Sequence, residues 1–337
     1  MTVLTPEPTA GPASSRTGRS ISSATLLRSG LMPVLLVLEL IVFGVLSKEF
    51  FTAGNLSDLV VNSGDLALIA AGMTLVIMLS GIDVSVGPML GVLTWGVATM
   101  TGAGLSPWVV VLTTVAAGAL LGAVNGTVIV VGGVAPIIAT LGMAAVYQTV
   151  LFLLWGSRDL FTGPVVPLLS GQKALGVPLM VIPILLVFVV LAYVLKMRRF
   201  GRHIYAIGND ATGARLLGVS VGRVTFGAYV LLGALVGLAS MIYVGRVGVV
   251  QSNSGSELTL AAIAAVVVGG TSILGGQGGV VRTLGGLLFI AVLQKGIVLV
   301  GVPALWSGVM VGAAVALAVS VDVITRRQVD RRERGNR

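Results

Sequence analysis

The chain has 337 residues, of which 56% are hydrophobic and only 10% charged, where a soluble domain carries about 25% charged. That composition excludes an ordinary soluble protein and describes a polytopic membrane protein, so the net charge of +9 does not point to nucleic acid. No cysteine and a single histidine exclude a disulfide framework and a thiolate nucleophile, and make a metal centre a poor expectation.

Residues 1–30 are rich in Ser, Thr, Pro and Ala and carry Arg16, Arg19 and Arg28. They read as a disordered cytoplasmic tail. A cleaved signal peptide fits poorly, because the apolar run starts late and no small-residue cleavage site clearly follows it. A membrane span needs about 20 apolar residues. Dividing the chain this way predicts about ten spans, over 31–47, 57–79, 86–103, 108–131, 134–155, 178–196, 222–244, 257–275, 279–300 and 303–323. The breaks at 80–86, 132–134 and 276–279 are very short. The domain reading is a tail over 1–30, a transmembrane unit over 31–323 and a basic C-terminal tail over 324–337. With ten spans and the N-terminus inside, segments 1–30, 196–223 and 324–337 hold 15 of the 21 Lys and Arg residues. That bias predicts both termini in the cytoplasm. Asp65-Leu66-Ala67-Leu68 before SGIDVSVG (80–87) is echoed weakly by Glu257-Leu258-Thr259-Leu260 before GGTSILGG (269–276), as in transporters built from repeated halves.

Polar groups at membrane depth are sparse: Glu39, Asn62, Asp65, Thr74, Asn125, Thr140, Gln148, Glu257, Gln294 and Lys295. Several should face a pathway rather than lipid. In GIDVSVG (81–87), Asp83 and Ser85 sit between glycines with Pro88 following, which predicts a broken helix. Asp83 there either caps the helix that begins near Ser85 or serves the path. The glycine-rich VGGTSILGGQGG (268–279) is not a phosphate loop, because no lysine follows a glycine anywhere in the chain. It reads as tight turning between helices. Gly118, Gly122 and Gly126 form one small-residue row and Gly233 with Gly237 another, a signal for close helix packing without a named partner. Lys295 is either an anchor that snorkels to the interface or a path-facing cation beside Gln294.

The stretch at 196–223 breaks the apolar pattern. It carries Lys196, Arg198, Arg199, Arg202, Arg215 and Arg223 and the only histidine, His203. Within it Asn209 and Asp210 suit an N-cap, Gly218 suits the C′ position, and Ala211, Ala214 and Leu217 make a small apolar face. Residues 210–217 are thus predicted to be a short helix, too short to persist alone. It either needs a partner surface or belongs to a plain connecting loop.

Four stretches in order, GIDVSVG, NGTVIVVGGVAPIIATLGM (125–143), GRHIYAIGNDATGARLLGVSV (201–221) and ELTLAAIAAVVVGGTSILGGQGGVVRTLGGLL (257–288), resemble the permease subunits of bacterial ribose/xylose/galactose-type ATP-binding-cassette (ABC) importers. The resemblance covers about residues 30–323. It implies an all-α membrane protein of about ten helices, similar to the vitamin B12 importer permease, in the bacterial cytoplasmic membrane. It implies a second permease subunit in a homodimer, ABC ATPase subunits, a periplasmic or lipid-anchored sugar-binding protein, and lipid around the helices. The chain itself would hold no cofactor, since ATP and magnesium belong to the ATPase, and it would perform no chemistry. By the same resemblance the cytoplasmic loop docks the ATPase, with Gly201, Arg202, Tyr205, Ala206, Gly208, Ala214, Arg215 and Gly218 matching the pattern. His203 stands where an aromatic residue is usual, and Asp210 where Asn is usual, though Asp still caps. Asn62, Thr74, Asp83, Ser85, Thr140, Gln148, Gln294 and Lys295 are the candidate path residues. Lys295 falls where a neutral polar residue is common, which bears on the solute. The cargo expected is a monosaccharide or similar polyol. The rival is an ion-coupled secondary transporter, against which the scarcity of carboxylates and histidine counts.

Overall fold

The computed structural model describes residues 23–162, 173–174 and 176–335. Residues 1–22, most of the expected N-terminal tail, lie outside the described residues, as does the middle of the 156–177 segment. Helix dominates because nearly every stretch is apolar, and a backbone in lipid must satisfy its own hydrogen bonds. The helices are α1 (Ser23–Leu46), α2 (Ala53–Asn62), α3 (Gly64–Met78), α4 (Val86–Gly102), α5 (Pro107–Val130), α6 (Pro136–Trp155), α7 (Val181–Met197), α8 (Arg199–Asn209), α9 (Ala211–Leu216), α10 (Val221–Val247), α11 (Ser256–Val268), α12 (Val280–Leu299) and α13 (Trp306–Gly335). Four two-residue strands complete the described residues. β1 (Leu160–Phe161) pairs antiparallel with β4 (Val249–Val250), and β2 (Lys173–Ala174) with β3 (Val177–Pro178).

Local chemistry sets the helix ends. Thr52 is extended and its hydroxyl accepts from the Asn55 N–H, starting α2. Pro107 and Pro136 open α5 and α6, where the missing N–H costs no bond. Gly156 and Gly248 close α6 and α10 in the left-handed conformation that glycine adopts without strain.

Helix α3 is the axis of the molecule. Its sequence is apolar on all sides, and every one of its residues is buried. α7, α10, α11 and α12 pack around it. The two glycine rows meet each other: Gly118 and Gly122 of α5 lie against Gly233 and Gly237 of α10, backbone against backbone. α1, α5, α6, α7 and α13 turn exposed apolar side chains outward, among them Val45, Leu112, Leu153, Val189 and Leu317. Such a surface suits lipid and not water.

Four of the described helices, α5, α6, α10 and α12, are each long and apolar enough to cross a membrane, or six spans result if each bent pair counts as one. The bends are 45° between α2 and α3 and 70° between α7 and α8. α1, α11 and α13 contribute shorter apolar helices. Each of the ten expected segments falls on helix, two of them only in part or in two pieces. The 57–79 segment is divided at Ser63. The 257–275 segment is helical only to Val268, because Gly270, Gly275 and Gly276 then take positive φ. Within 196–223 there are two helices, not one: α8 precedes α9, its buried Gly201, Ile204 and Ile207 facing the bundle. α1 begins at Ser23, inside the expected tail, and α13 runs on through the expected C-terminal tail to Gly335.

Candidate functional site

The basic segment 196–223 is built from α8, α9 and the first turn of α10. Arg198 is extended, which turns the chain through the bend after α7. Gly201 allows this, since a Cβ there would overlap the backbone of Val194 and Leu195. Arg202 reaches back to the Met197 carbonyl at 3.0 Å. At the start of α9, Asp210 accepts from the Thr212 N–H at 3.0 Å. Gly218 takes φ +81 just beyond its end. Ala214 is buried and pins the helix to the bundle, while Arg215, Leu216 and Leu217 project outward. Leu216 is 85% and Leu217 86% exposed. The expected apolar face of Ala211, Ala214 and Leu217 is therefore split: Ala214 points in, and Leu217 with Leu216 points out, because the six-residue helix ends before its stripe can close. Tyr205 and Gly208 of α8 face inward instead. The Tyr205 hydroxyl donates to the Gly278 carbonyl at 3.0 Å, and Gly208 lies against Met78 O and Gly276 N.

The candidate path residues do not form one site. Asp83 and Ser85 sit in the break between α3 and α4 at the centre of a buried polar cluster. Asp83 Oδ1 accepts from the Ser85 N–H (2.8 Å) and hydroxyl (2.6 Å), and Oδ2 accepts from the Asn125 amide (3.1 Å). The Asn125 amide also donates to Ser85 Oγ at 2.8 Å, and Tyr147 OH donates to Asn125 Oδ1 at 2.9 Å. Thr140 reaches the same break through the Ile82 carbonyl at 3.0 Å. Thr74 lies apart, its hydroxyl 2.7 Å from that of Thr283, joining α3 to α12. Gln148 donates to the Ser252 carbonyl at 2.6 Å. Asn62, Gln294 and Lys295 do come together, in an open pocket that Leu59, Ser63, Ala291 and Val298 complete. Lys295 is held there 3.7 Å from Asp58, which is itself largely exposed. No hydrogen bond among the described residues joins these four groups.

Two partnerships escaped the sequence reading. Asn125 and Tyr147 complete the Asp83 cluster, and Arg246 pairs with Asp65. Asp65 is fully buried, and Arg246 donates to its Oδ2 from Nε at 3.2 Å and Nη2 at 2.7 Å. The guanidinium also lies over the Tyr243 ring, 5.3 Å from its centroid. The available signal was the carboxylate itself: an Asp within an apolar run requires a cation or several donors. Glu39, also buried, has no hydrogen-bond partner among the described residues. Among the described residues no three His, Cys, Asp or Glu side chains gather as a metal site.

These arrangements hold helices together and leave Leu216 and Leu217 beside α9 exposed. Residues 55–319 match the family described as branched-chain amino acid transport system / permease component. The chain belongs to this permease family. The ribose import permease protein of Escherichia coli (strain K12) is 37% identical over 309 residues, 90% of this chain and 96% of that one. The fructose import permease protein of Rhizobium meliloti is 32% identical, covering 87% of this chain and 85% of that one. The autoinducer 2 import system permease protein of Escherichia coli O9:H4 (strain HS) is 33% identical, covering 85% and 83%. No solved structure matches. The permease is thus the membrane component of an ABC importer, a multi-pass protein of the bacterial cytoplasmic membrane and not an enzyme. Its family implies ATPase and binding-protein partners.

Proposed function

We propose that this permease carries a monosaccharide, delivered by an extracytoplasmic binding protein, through the membrane as one half of a homodimer. The relatives named for ribose and fructose support the solute class. The proposed topology is ten spans with both termini inside, in an arrangement like that of the vitamin B12 importer permease. The clustering of Lys and Arg in 1–30, 196–223 and 324–337 supports that orientation.

The observation that carries the reading is α9. A capped helix of six residues leaves Arg215, Leu216 and the C-cap Leu217 exposed beside a buried anchor, Ala214. A short helix with exposed leucines is stable when a partner covers it. The partner proposed is the ATPase, docked on Arg215, Leu216 and Leu217, with Asp210 and Gly218 fixing the helix ends. Gly201, Arg202, Tyr205 and Gly208 hold the loop against the bundle. For the path, the pocket of Asn62, Gln294 and Lys295 offers hydrogen bonds of the kind that sugar hydroxyls accept and donate. Asp83, Ser85, Thr140, Thr74 and Gln148 are proposed to shape the path from behind, because their hydrogen bonds are already taken by the protein.

Arg215→Glu tests the docking. The variant should insert in the membrane normally and bind its ATPase at least about tenfold more weakly, ~1.4 kcal/mol, with transport falling in step. Undiminished co-purification of the ATPase with this variant refutes the assignment.

A further inference from the structure

Two glycine breaks, 79–85 after α3 and 269–279 after α11, lie far apart in sequence yet meet in one knot. The Gly276 N–H donates to the Met78 carbonyl at 3.0 Å, and the Ser80 hydroxyl donates to the Leu274 carbonyl at 2.8 Å. Ser80 is one of two non-glycine residues with positive φ among the described residues, at 62°, a conformation the surrounding bonds must maintain. Gly275 (φ +83), Gly276 (φ +71) and Gly278 (φ +139) turn the second break, each where an L side chain is strained.

The inner end of α8 closes the knot. Gly208 packs directly on the carbonyl of Met78, the last residue of α3 before the first break, and on Gly276 of the second, with no room for a Cβ. Tyr205 donates from its hydroxyl to Gly278 O at 3.0 Å. Asn209 donates to Tyr205 O at 2.8 Å and to Gly276 O at 3.5 Å. Asn209 is followed at once by Asp210, the cap of α9. So the helix proposed to dock the ATPase joins without a linker to the helix that touches both breaks. α3 ends at the first break, and the second lies between α11 and α12. These hydrogen bonds and backbone contacts connect α9 through α8 to the ends of α3, α11 and α12.

We propose that Tyr205 and Asn209 are positioning residues that tie the docking helix to the second glycine break, 269–279, which passes nucleotide-driven movement of the ATPase to the first, 79–85, through the Gly276–Met78 and Ser80–Leu274 bonds. The inference rests on the docking assigned to α9 above. Coupling of this kind needs a contiguous element with two arrangements, and the two positive-φ turns, held together by a few hydrogen bonds, are the element proposed to move.

The chain has no cysteine, which allows a clean reporter. Leu274 is exposed at the tip of the second break, so Leu274→Cys can be followed by thiol labelling in the complex with the ATPase. Its labelling rate should change at least about threefold between nucleotide-free and ATP-saturated complex. In the same background Tyr205→Phe, and separately Ser80→Ala on the break side, should reduce that change to less than about 1.5-fold, while ATP still binds the ATPase. These fold-changes are order-of-magnitude expectations for a coupling of roughly 1 kcal/mol. A full ATP-dependent change in both variants overturns the proposal, and so does a reporter that ATP never moves in the parent. If Tyr205→Phe fails to assemble, Ser80→Ala alone decides. Failure of the docking assignment shows separately, as undiminished ATPase co-purification with Arg215→Glu.

Discussion

Asp83 shows what one residue does in this molecule. A carboxylate taken out of water and away from any cation must find donors, and it finds three, two from Ser85 and one from Asn125. Those bonds fasten the start of α4 to α5, and Tyr147 adds α6. Asp83→Ala would leave the Ser85 N–H and the Asn125 amide short of an acceptor in a buried site. The expected loss is about 2–4 kcal/mol of stability. An SDS-unfolding titration in mixed micelles checks it, and an unchanged midpoint contradicts it. The residue was legible in the sequence as a polar group between two glycines. Its partners were not, because Asn125 and Tyr147 lie 42 and 64 positions away on other helices, the first distance being that of the hydrogen bond itself. The same holds for Asp65 and Arg246, which are separated by 181 positions. A cation at a span end reads as a topology signal, and only the fold reveals that it folds back over a carboxylate.

At the scale of the element, glycine spacing was the most readable feature. The rows on α5 and α10 announced close packing, though not that they pack on each other, since spacing carries no partner identity. Gly122→Val puts a side chain into the Tyr229 carbonyl and the Gly233 backbone. α5 and α10 must then separate, with a cost of about 1–3 kcal/mol or more. Reduced yield and a broadened size-exclusion peak in detergent are expected. Gly142→Val is the control: a Cβ there meets nothing within 4 Å, so normal behaviour is expected. Equal behaviour of the two variants contradicts the packing argument. The caps of α9 at Asp210 and Gly218 were legible because they are local chemistry. α8 was not separated from the loop, because its polar residues Arg199, Arg202 and His203 mask an apolar stripe of only Ile204 and Ile207. The bend at Ser63 also carries no glycine or proline at its centre, only Gly64 after it, so the sequence ran α2 and α3 together.

For the whole molecule, composition decided the class at once, and the expected all-α membrane architecture rests on the same apolarity that buries α3 throughout. The candidate path was the least legible part. Polar residues at membrane depth were all marked alike, yet Asp65, Thr74, Asn125, Thr140 and Gln148 are engaged in hydrogen bonds within the protein, while Asn62, Gln294 and Lys295 share an open pocket. Sequence cannot distinguish a donor that faces a cavity from one that faces a neighbouring helix.

The central claim is that ATP bound by a partner docked on α9, and not an ion gradient, drives solute through this permease. The direct measurement uses proteoliposomes holding the permease, its ATPase and its binding protein, with radiolabelled ribose as the probe and radiolabelled fructose run beside it. Uptake of at least one sugar is predicted to require ATP on the ATPase side and to proceed with no proton or sodium gradient. Uptake driven by an imposed gradient without ATP would contradict the account.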